Sequence, residues 1–569
     1  MTRPPLHRLV VLLVAFLLAF GGIVARLAML QVHDNSALTR LGLDERIHTF
    51  DIPAERGSIL DRTGTPLALT LDGRDVYADP ALVTDVVGEA RQIADTLGLK
   101  SRAVRAALSA SGTFAYVARQ VSLDTAARLA ALRLPGIGFL PAPRRAYPAG
   151  ALAAQVLGFV GVDGNGLAGL ESEYESRLAG TPGERTAELS AIGLPITSGV
   201  DDLTAPTPGQ TLVSTIDRQM QYQAQRFLAA AVKSNGANDG TIVVMDPATG
   251  DVLAMASYPW FDPNHFATAN PDTWRNRAVT DTFEPGSVNK TITAAAALDT
   301  GAVSPARTFQ VPAALRIGGY TIHDSHVHPV EKMTLGDIIA ASSNIGATMV
   351  ASRVGSARLS TFMSRFGYGR STGVGFPGEA AGVVPPLSQW TDVTRATASY
   401  GQGVSVTPLQ MAAVYATIAN GGTWVQPRLV RGTQQGGTFH PAPPSPTRRV
   451  VQPDTAAMVT RMLAYVVADG TGVNAQIPGY QVAGKTGTAR KVDAGGHYVN
   501  RYMASFVGFL PAAAPRLVIG VTIDQPATVF GGVAAAPVFQ EVARYAIQRL
   551  GIPGAPPVTL PPHALRLAP

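Results

Sequence analysis

The chain opens with an apolar run that sets the frame for everything after it. Leu9 to Ala25 carries no charge, close to the minimum of roughly 17 residues for a helix that spans a bilayer. Leu27 to Leu30 extends it if the Arg26 side chain reaches out to the interface. A cleaved signal peptide has a shorter apolar core, roughly 7 to 15 residues, ending at a small-residue site, so the run reads as an uncleaved anchor. Arg3 and Arg8 precede it and Arg26 and Arg40 follow it, a weak charge asymmetry. Orientation therefore rests on a single anchor followed by a long folded region. Residues 1–8 are assigned to the cytoplasm, 9–30 to the membrane and the remainder to the outside.

A chain of 569 residues exceeds what one core organises, so two or three domains are expected. With 46% hydrophobic and 15% charged residues it is folded rather than disordered. Cysteine is absent, which excludes disulfides, thiolate catalysis and Cys-rich zinc sites together. The net charge of +6 is spread without a basic run, so no nucleic-acid partner is expected, and work near an anionic surface is compatible with it. Only six of the 46 cationic residues are lysines: Lys100, Lys233, Lys290, Lys332, Lys485 and Lys491. Arginine supplies charge elsewhere, so a lysine here is an informative choice, because lysine can lose its proton and act as a base.

Residues 31–205 read as a mixed region. Leu82, Val83, Val86, Val87, Ala90, Ile93 and Leu97 fall on one helical face, a core-facing pattern. The Pro, Gly and Asp content of 201–210 reads as a linker and places a domain boundary at about 205. Beyond it, Thr241–Ala256 reads as a hairpin turning at Asp-Pro-Ala-Thr-Gly. Thr407 and Pro408 start a helix that Asn420-Gly421 stops. Tyr502–Leu510 and Arg516–Asp524 are strand-like, and residues 536–550 form an amphipathic helix. These elements imply an α+β domain over 206–550 with a central antiparallel sheet flanked by helices. Residues 551–569, rich in proline, read as a disordered tail.

Three short stretches carry chemistry. In "FEPGSVNK", Pro285-Gly286 forms a tight turn, and Ser287 and Lys290 share one face of the helix that follows, which Gly301 stops. A serine at a helix N-terminus has N–H groups beside it for an oxyanion. A desolvated lysine crowded by another cation can be held neutral and take the serine proton. In "AASSNIGA", Ser342, Ser343 and Asn344 interrupt apolar runs; a helix cap is the simpler reading of that triplet alone. In "AGKTGTA", Lys485, Thr486, Gly487 and Thr488 lie on a strand whose glycine permits close approach. Two of the three stretches use scarce lysines, and their joint occurrence in this order makes chance a poor explanation.

S-x-x-K, S-x-N and K-T-G together are the signatures of penicillin-recognising serine enzymes. The chain resembles a class B, monofunctional penicillin-binding protein over nearly its whole length: the anchor, an elongated mixed α/β pedestal (31–205) and a transpeptidase domain (206–550). "AVTDTFEPGS" is more similar to the septal, cell-division type. The valine and asparagine inside "SVNK" depart from the family's usual residues without touching a role-bearing position. The resemblance implies a peptidoglycan D,D-transpeptidase that needs no cofactor or metal and that β-lactams inhibit. Ser287 would attack the D-Ala-D-Ala carbonyl of a stem peptide and Lys290 would be its base. Ser342 would pass the proton to the leaving amine, and Asn344 would bind the donor's side-chain amide and position Lys290. Lys485 would supply positive charge, Thr486 and Thr488 would bind the substrate carboxylate, and the N–H groups of Ser287 and Thr488 would form the oxyanion hole. It also implies a polytopic glycosyltransferase partner of the shape, elongation, division and sporulation family, with other division proteins. Arg56, Gly57, Asp61, Arg62 and Gly64, and Gly169, Leu170 and Glu171, match pedestal motifs that are read first as structural. The rivals are a carboxypeptidase or β-lactamase-type hydrolase on the same domain, and a non-catalytic scaffold or sensor.

Overall fold

A computed structural model describes residues 6–33, 40, 42, 46–190, 196–197, 199–493 and 495–561. The apolar run forms helix α1 (Leu6–Ala28), and Leu6–Gln31 is long and apolar enough to cross a membrane once. The chain divides into two compact units, one made of residues up to Arg56 with Ala179–Gly209, the other of Gly57–Leu178 with everything from Gln210. In the first unit, strands Ile47–Ile52, Gly183–Glu188 and Asp201–Thr204 form an antiparallel sheet centred on the middle one. Residues 201–204, read as linker, are thus an edge strand, pinned through the Arg185–Asp201 pair at 2.9 Å. Their backbone groups find ladder partners that the Pro-rich flank of the sequence does not advertise.

The second unit is built on a five-stranded antiparallel sheet. Helix α2 (Arg218–Ser234) precedes strands β1 (Asp239–Met245) and β2 (Val252–Tyr258), which form the expected hairpin; β3 (Ala483–Val492), β4 (Tyr498–Leu510) and β5 (Leu517–Asp524) complete the order β2-β1-β5-β4-β3. Strand β3 is therefore an edge. One face of the sheet packs on α2 and on the last long helix, Ala536–Leu550, with Phe506 and Phe539 meeting edge to face at 4.8 Å. The other face packs on Pro408–Ala419, whose every residue is buried. A helix that is apolar all round has to be enclosed this way; its start is the Thr407 cap with Pro408 in the first turn and Gln410 completing a capping box, as the sequence indicates.

Residues 57–178 belong to this same unit because a second sheet crosses between them and the catalytic part: Ile59–Leu60 pairs in parallel with Thr211–Ser214, which pairs in turn with Val430–Gln435. Asp61 holds its own turn through Thr63 and Thr65 and reaches the Arg218 N–H at the start of α2. Glu171 is fully buried against Arg145 at 2.7 Å, so this motif has a structural role. The helix at Val86–Leu97 starts later than the apolar pattern suggests: Asp85 caps it, Leu82 lies before it and Val87 faces solvent, while Ala90, Ile93 and Ala94 enter the core. The tail also departs from expectation. Residues 551–561 lie against the catalytic unit, with Ile552 O accepting from Tyr480 and Val558 held at both backbone groups by the Gln481 amide at 2.6 and 3.1 Å; residues 562–569 fall outside the described set. A chain without helix or ladder bonds can be ordered when side-chain amides satisfy its backbone.

Candidate active site

Ser287 does not stand in the first turn of a regular helix. Gly286–Asn289 is a 3₁₀ turn that runs directly into α3 (Lys290–Asp299). In a 3₁₀ turn residues three apart eclipse, which brings Lys290 Nζ to 3.1 Å from Ser287 Oγ. Gly286 sits at φ +57°, and a methyl group there would meet Ala489 and the Thr488 carbonyl at 3.2 Å. The turn is fixed from beneath: Asn289 donates to Ala398 O at 2.7 Å and accepts from Tyr368 OH at 2.8 Å, and Tyr415 OH donates to Val288 O at 3.0 Å. Asn289 is fully buried and acts as a bolt in the core.

The second stretch supplies both a cap and chemistry. Ser343 caps helix α4 (Asn344–Val354) by accepting from the Gly346 N–H, so the simple reading of the triplet holds for its middle residue. Its neighbours turn the other way. Ser342, at φ +61°, presents both its carbonyl and its hydroxyl to Lys290, the hydroxyl at 3.3 Å, and Asn344 Oδ1 lies 2.8 Å from the same amine. The third stretch is edge strand β3. Gly487 lets it lie against the serine turn: a methyl group would come within 2.2 Å of Ser505 Oγ and 3.2 Å of Pro285 O. Lys485 Nζ reaches Thr486 Oγ1 at 3.2 Å and Thr471 Oγ1 at 3.3 Å, the two hydroxyls lying 2.7 Å apart, and Thr488 Oγ1 accepts from Gly531 N.

Lys290 and Lys485 are both completely buried. Burial pushes the Lys290 amine down to about 7, against an opposing pull from the Asp324 carboxylate. Burial and the charge of Lys290 push Lys485 well below the usual lysine range. Asp324 and Thr471 had no signal in the sequence strong enough to single them out. Each acts on residues brought near it by the fold, Asp324 on Ser343 to Ile345 and Thr471 on Lys485 and Thr486, and only a local acid among histidines in "IHDSHVH" hinted at the first. No group of His, Cys, Asp and Glu suited to a metal ion occurs among the described residues.

A hydroxyl paired with a buried, partly neutral amine, beside a glycine-bearing edge strand, is an arrangement able to support acyl transfer to a serine. Residues 240–544 match the penicillin binding protein transpeptidase domain and residues 51–214 the penicillin-binding protein dimerisation domain. The chain is 37% identical to penicillin-binding protein PbpB of Mycobacterium tuberculosis, across 96% of this chain and 85% of that one, and 36% identical to peptidoglycan D,D-transpeptidase FtsI of Escherichia coli, across 94% and 90%. The crystal structure of penicillin binding protein 3 from Mycobacterium tuberculosis in complex with aztreonam matches with a TM-score of 0.72 at 35% identity, covering 90% of this chain and all of that one. The chain belongs to the penicillin-binding protein transpeptidases with an N-terminal dimerisation domain, and it is a serine-type enzyme.

Proposed function

We propose that the protein is a membrane-anchored peptidoglycan D,D-transpeptidase of septal cell-wall synthesis, acting through an acyl-enzyme on Ser287. The observation that carries the residue assignment is the buried Lys290 amine, 3.1 Å from Ser287 Oγ and also held by Asn344 and Ser342. Neutral Lys290 takes the hydroxyl proton as Ser287 Oγ attacks the carbonyl of the penultimate D-alanine. Ser342 Oγ delivers the proton to the departing D-alanine amine. The N–H groups of Ser287 and Thr488 receive the oxyanion. Asn344 binds the donor's side-chain amide, while Thr486 and Thr488 bind the terminal carboxylate, whose charge favours the ammonium form of Lys485. The open edge of β3 offers backbone groups along which an extended peptide can lie, and Gly487 keeps that strand close to the serine turn. An amine from a neighbouring strand then attacks the ester, forming the cross-link and freeing Ser287.

The proposed organisation is a cytoplasmic tail (1–8), an anchor in the cell membrane (9–30), a pedestal (31–205), the transpeptidase domain (206–550) outside the cytoplasm and a Pro-rich tail (551–569). A polytopic glycosyltransferase and other division proteins are the proposed partners of the anchor and pedestal. The test is intact mass of the detergent-solubilised full chain after incubation with a fluorescent penicillin, beside Ser287→Ala. A long-lived adduct on the wild type alone supports the assignment; rapid drug hydrolysis without an adduct would favour a hydrolase.

A further inference from the structure

Behind the Ser342–Asn344 turn lies a buried charge that the reaction scheme does not use. The Asp324 side chain is 1% exposed. One of its oxygens accepts from the N–H groups of Asn344 at 2.5 Å and Ile345 at 3.0 Å; the other accepts from Ser343 Oγ at 2.6 Å and faces His328 Nε2 at 3.1 Å. The opposite ring nitrogen of His328 faces the Pro329 carbonyl at 2.7 Å, with Glu331 Oε2 at 3.8 Å. Both nitrogens thus meet oxygen acceptors. The ring is itself 3% exposed, with the His326 ring 5.6 Å from it. A buried aspartate–histidine pair backs the turn whose other side holds Lys290.

We propose that Asp324 and His328 form a positioning pair for acylation, the carboxylate clamping the Ser343–Ile345 backbone so that Asn344 Oδ1 and the Ser342 carbonyl converge on Lys290. This rests on the reading of Ser287 as nucleophile and Lys290 as base. The clamp acts through two links. Asn344 is fixed at its N–H by Asp324 and at its side-chain amide by the His323 carbonyl at 3.3 Å, leaving Oδ1 aimed at the lysine. The carboxylate also favours the ammonium form of Lys290, against the burial that opposes it.

An ordinary helix cap makes a different forecast, because asparagine caps a helix about as well as aspartate. Acylation of the full-length protein by a fluorescent penicillin is therefore followed from mildly acidic to alkaline pH for wild type, Asp324→Asn and His328→Gln, with melting temperatures measured in parallel. Asp324→Asn keeps one oxygen to accept from the Asn344 and Ile345 N–H groups but removes the negative charge and the acceptor for Ser343 Oγ, so its rising limb moves to lower pH and its plateau falls about tenfold as the turn loosens. His328→Gln keeps a donor towards Asp324 but loses the ring that also reaches the Pro329 carbonyl, so the carboxylate is held less firmly and the plateau falls while the limb stays in place. A limb displaced to lower pH in Asp324→Asn, with a lowered plateau in both variants, supports the pair. Limbs and plateaus that coincide with wild type, with only the melting temperature lowered, would overturn it and leave a cap. Should Asp324→Asn fail to fold, the His328→Gln plateau decides alone. A wild-type protein that takes no label would overturn the assignment of Ser287 itself, a result the variants cannot mimic.

Discussion

Lowering the pH should switch off acylation through one group. Lys290 must be neutral to accept the Ser287 proton, and burial depresses it from 10.5 to about 7. At neutral pH about half of the protein then carries a neutral amine, against roughly 0.03% for an unshifted lysine, a gain of about a thousandfold in competent enzyme. Because the acting form is the deprotonated one, the rate falls as pH drops through about 7. It should lose about one decade for each further pH step, reaching roughly a hundredth at pH 5. The assay is the second-order rate constant for labelling by a fluorescent penicillin in stopped-flow or gel format, with the drug's own stability checked at each pH. A profile flat from pH 5 to 9 would refute the role of Lys290 as base, and a limb centred near the ordinary lysine value would refute the effect of burial.

Stability should move in the same direction with pH at the same residue. The folded-state value of Lys290 lies below the unfolded one, so the unfolded chain binds more protons between about 7 and 10.5, and wild-type stability rises with pH across that window. The full depression corresponds to about 5 kcal/mol at neutral pH and below; Lys290→Met, which forgoes the hydrogen bonds to Asn344 and Ser342, should recover about 1–3 kcal/mol of it while abolishing labelling. Calorimetry against pH should show the gap between the two proteins closing as the solution becomes alkaline. Gly487→Ala should push β3 away from the serine turn, since Val288 and Pro285 crowd the new methyl group at 3.1 and 3.2 Å, and slow labelling by about ten- to a hundredfold with little change in far-UV circular dichroism. Glu171→Gln removes the negative charge facing the buried Arg145 guanidinium and should cost about 2–4 kcal/mol in denaturant unfolding while leaving native-state labelling intact.

The sequence by itself determined the N-terminal apolar helix, the order of the three motifs, the hairpin, the Thr407-capped helix and the family, because each is written in residues adjacent along the chain. A run of apolar residues, a cap with proline after it and a serine three positions from a lysine keep their meaning wherever the fold puts them. Tertiary structure decided what those residues can do. It placed Ser287, Ser342, Asn344 and Lys485 around one point, although 198 positions separate the first from the last. It tightened the serine turn from α to 3₁₀ geometry, made 201–204 a strand, and tied the tail to Gln481. Above all it set the protonation of the two lysines. Desolvation sums over every atom that excludes water, and a short motif contains no record of what will be packed around it.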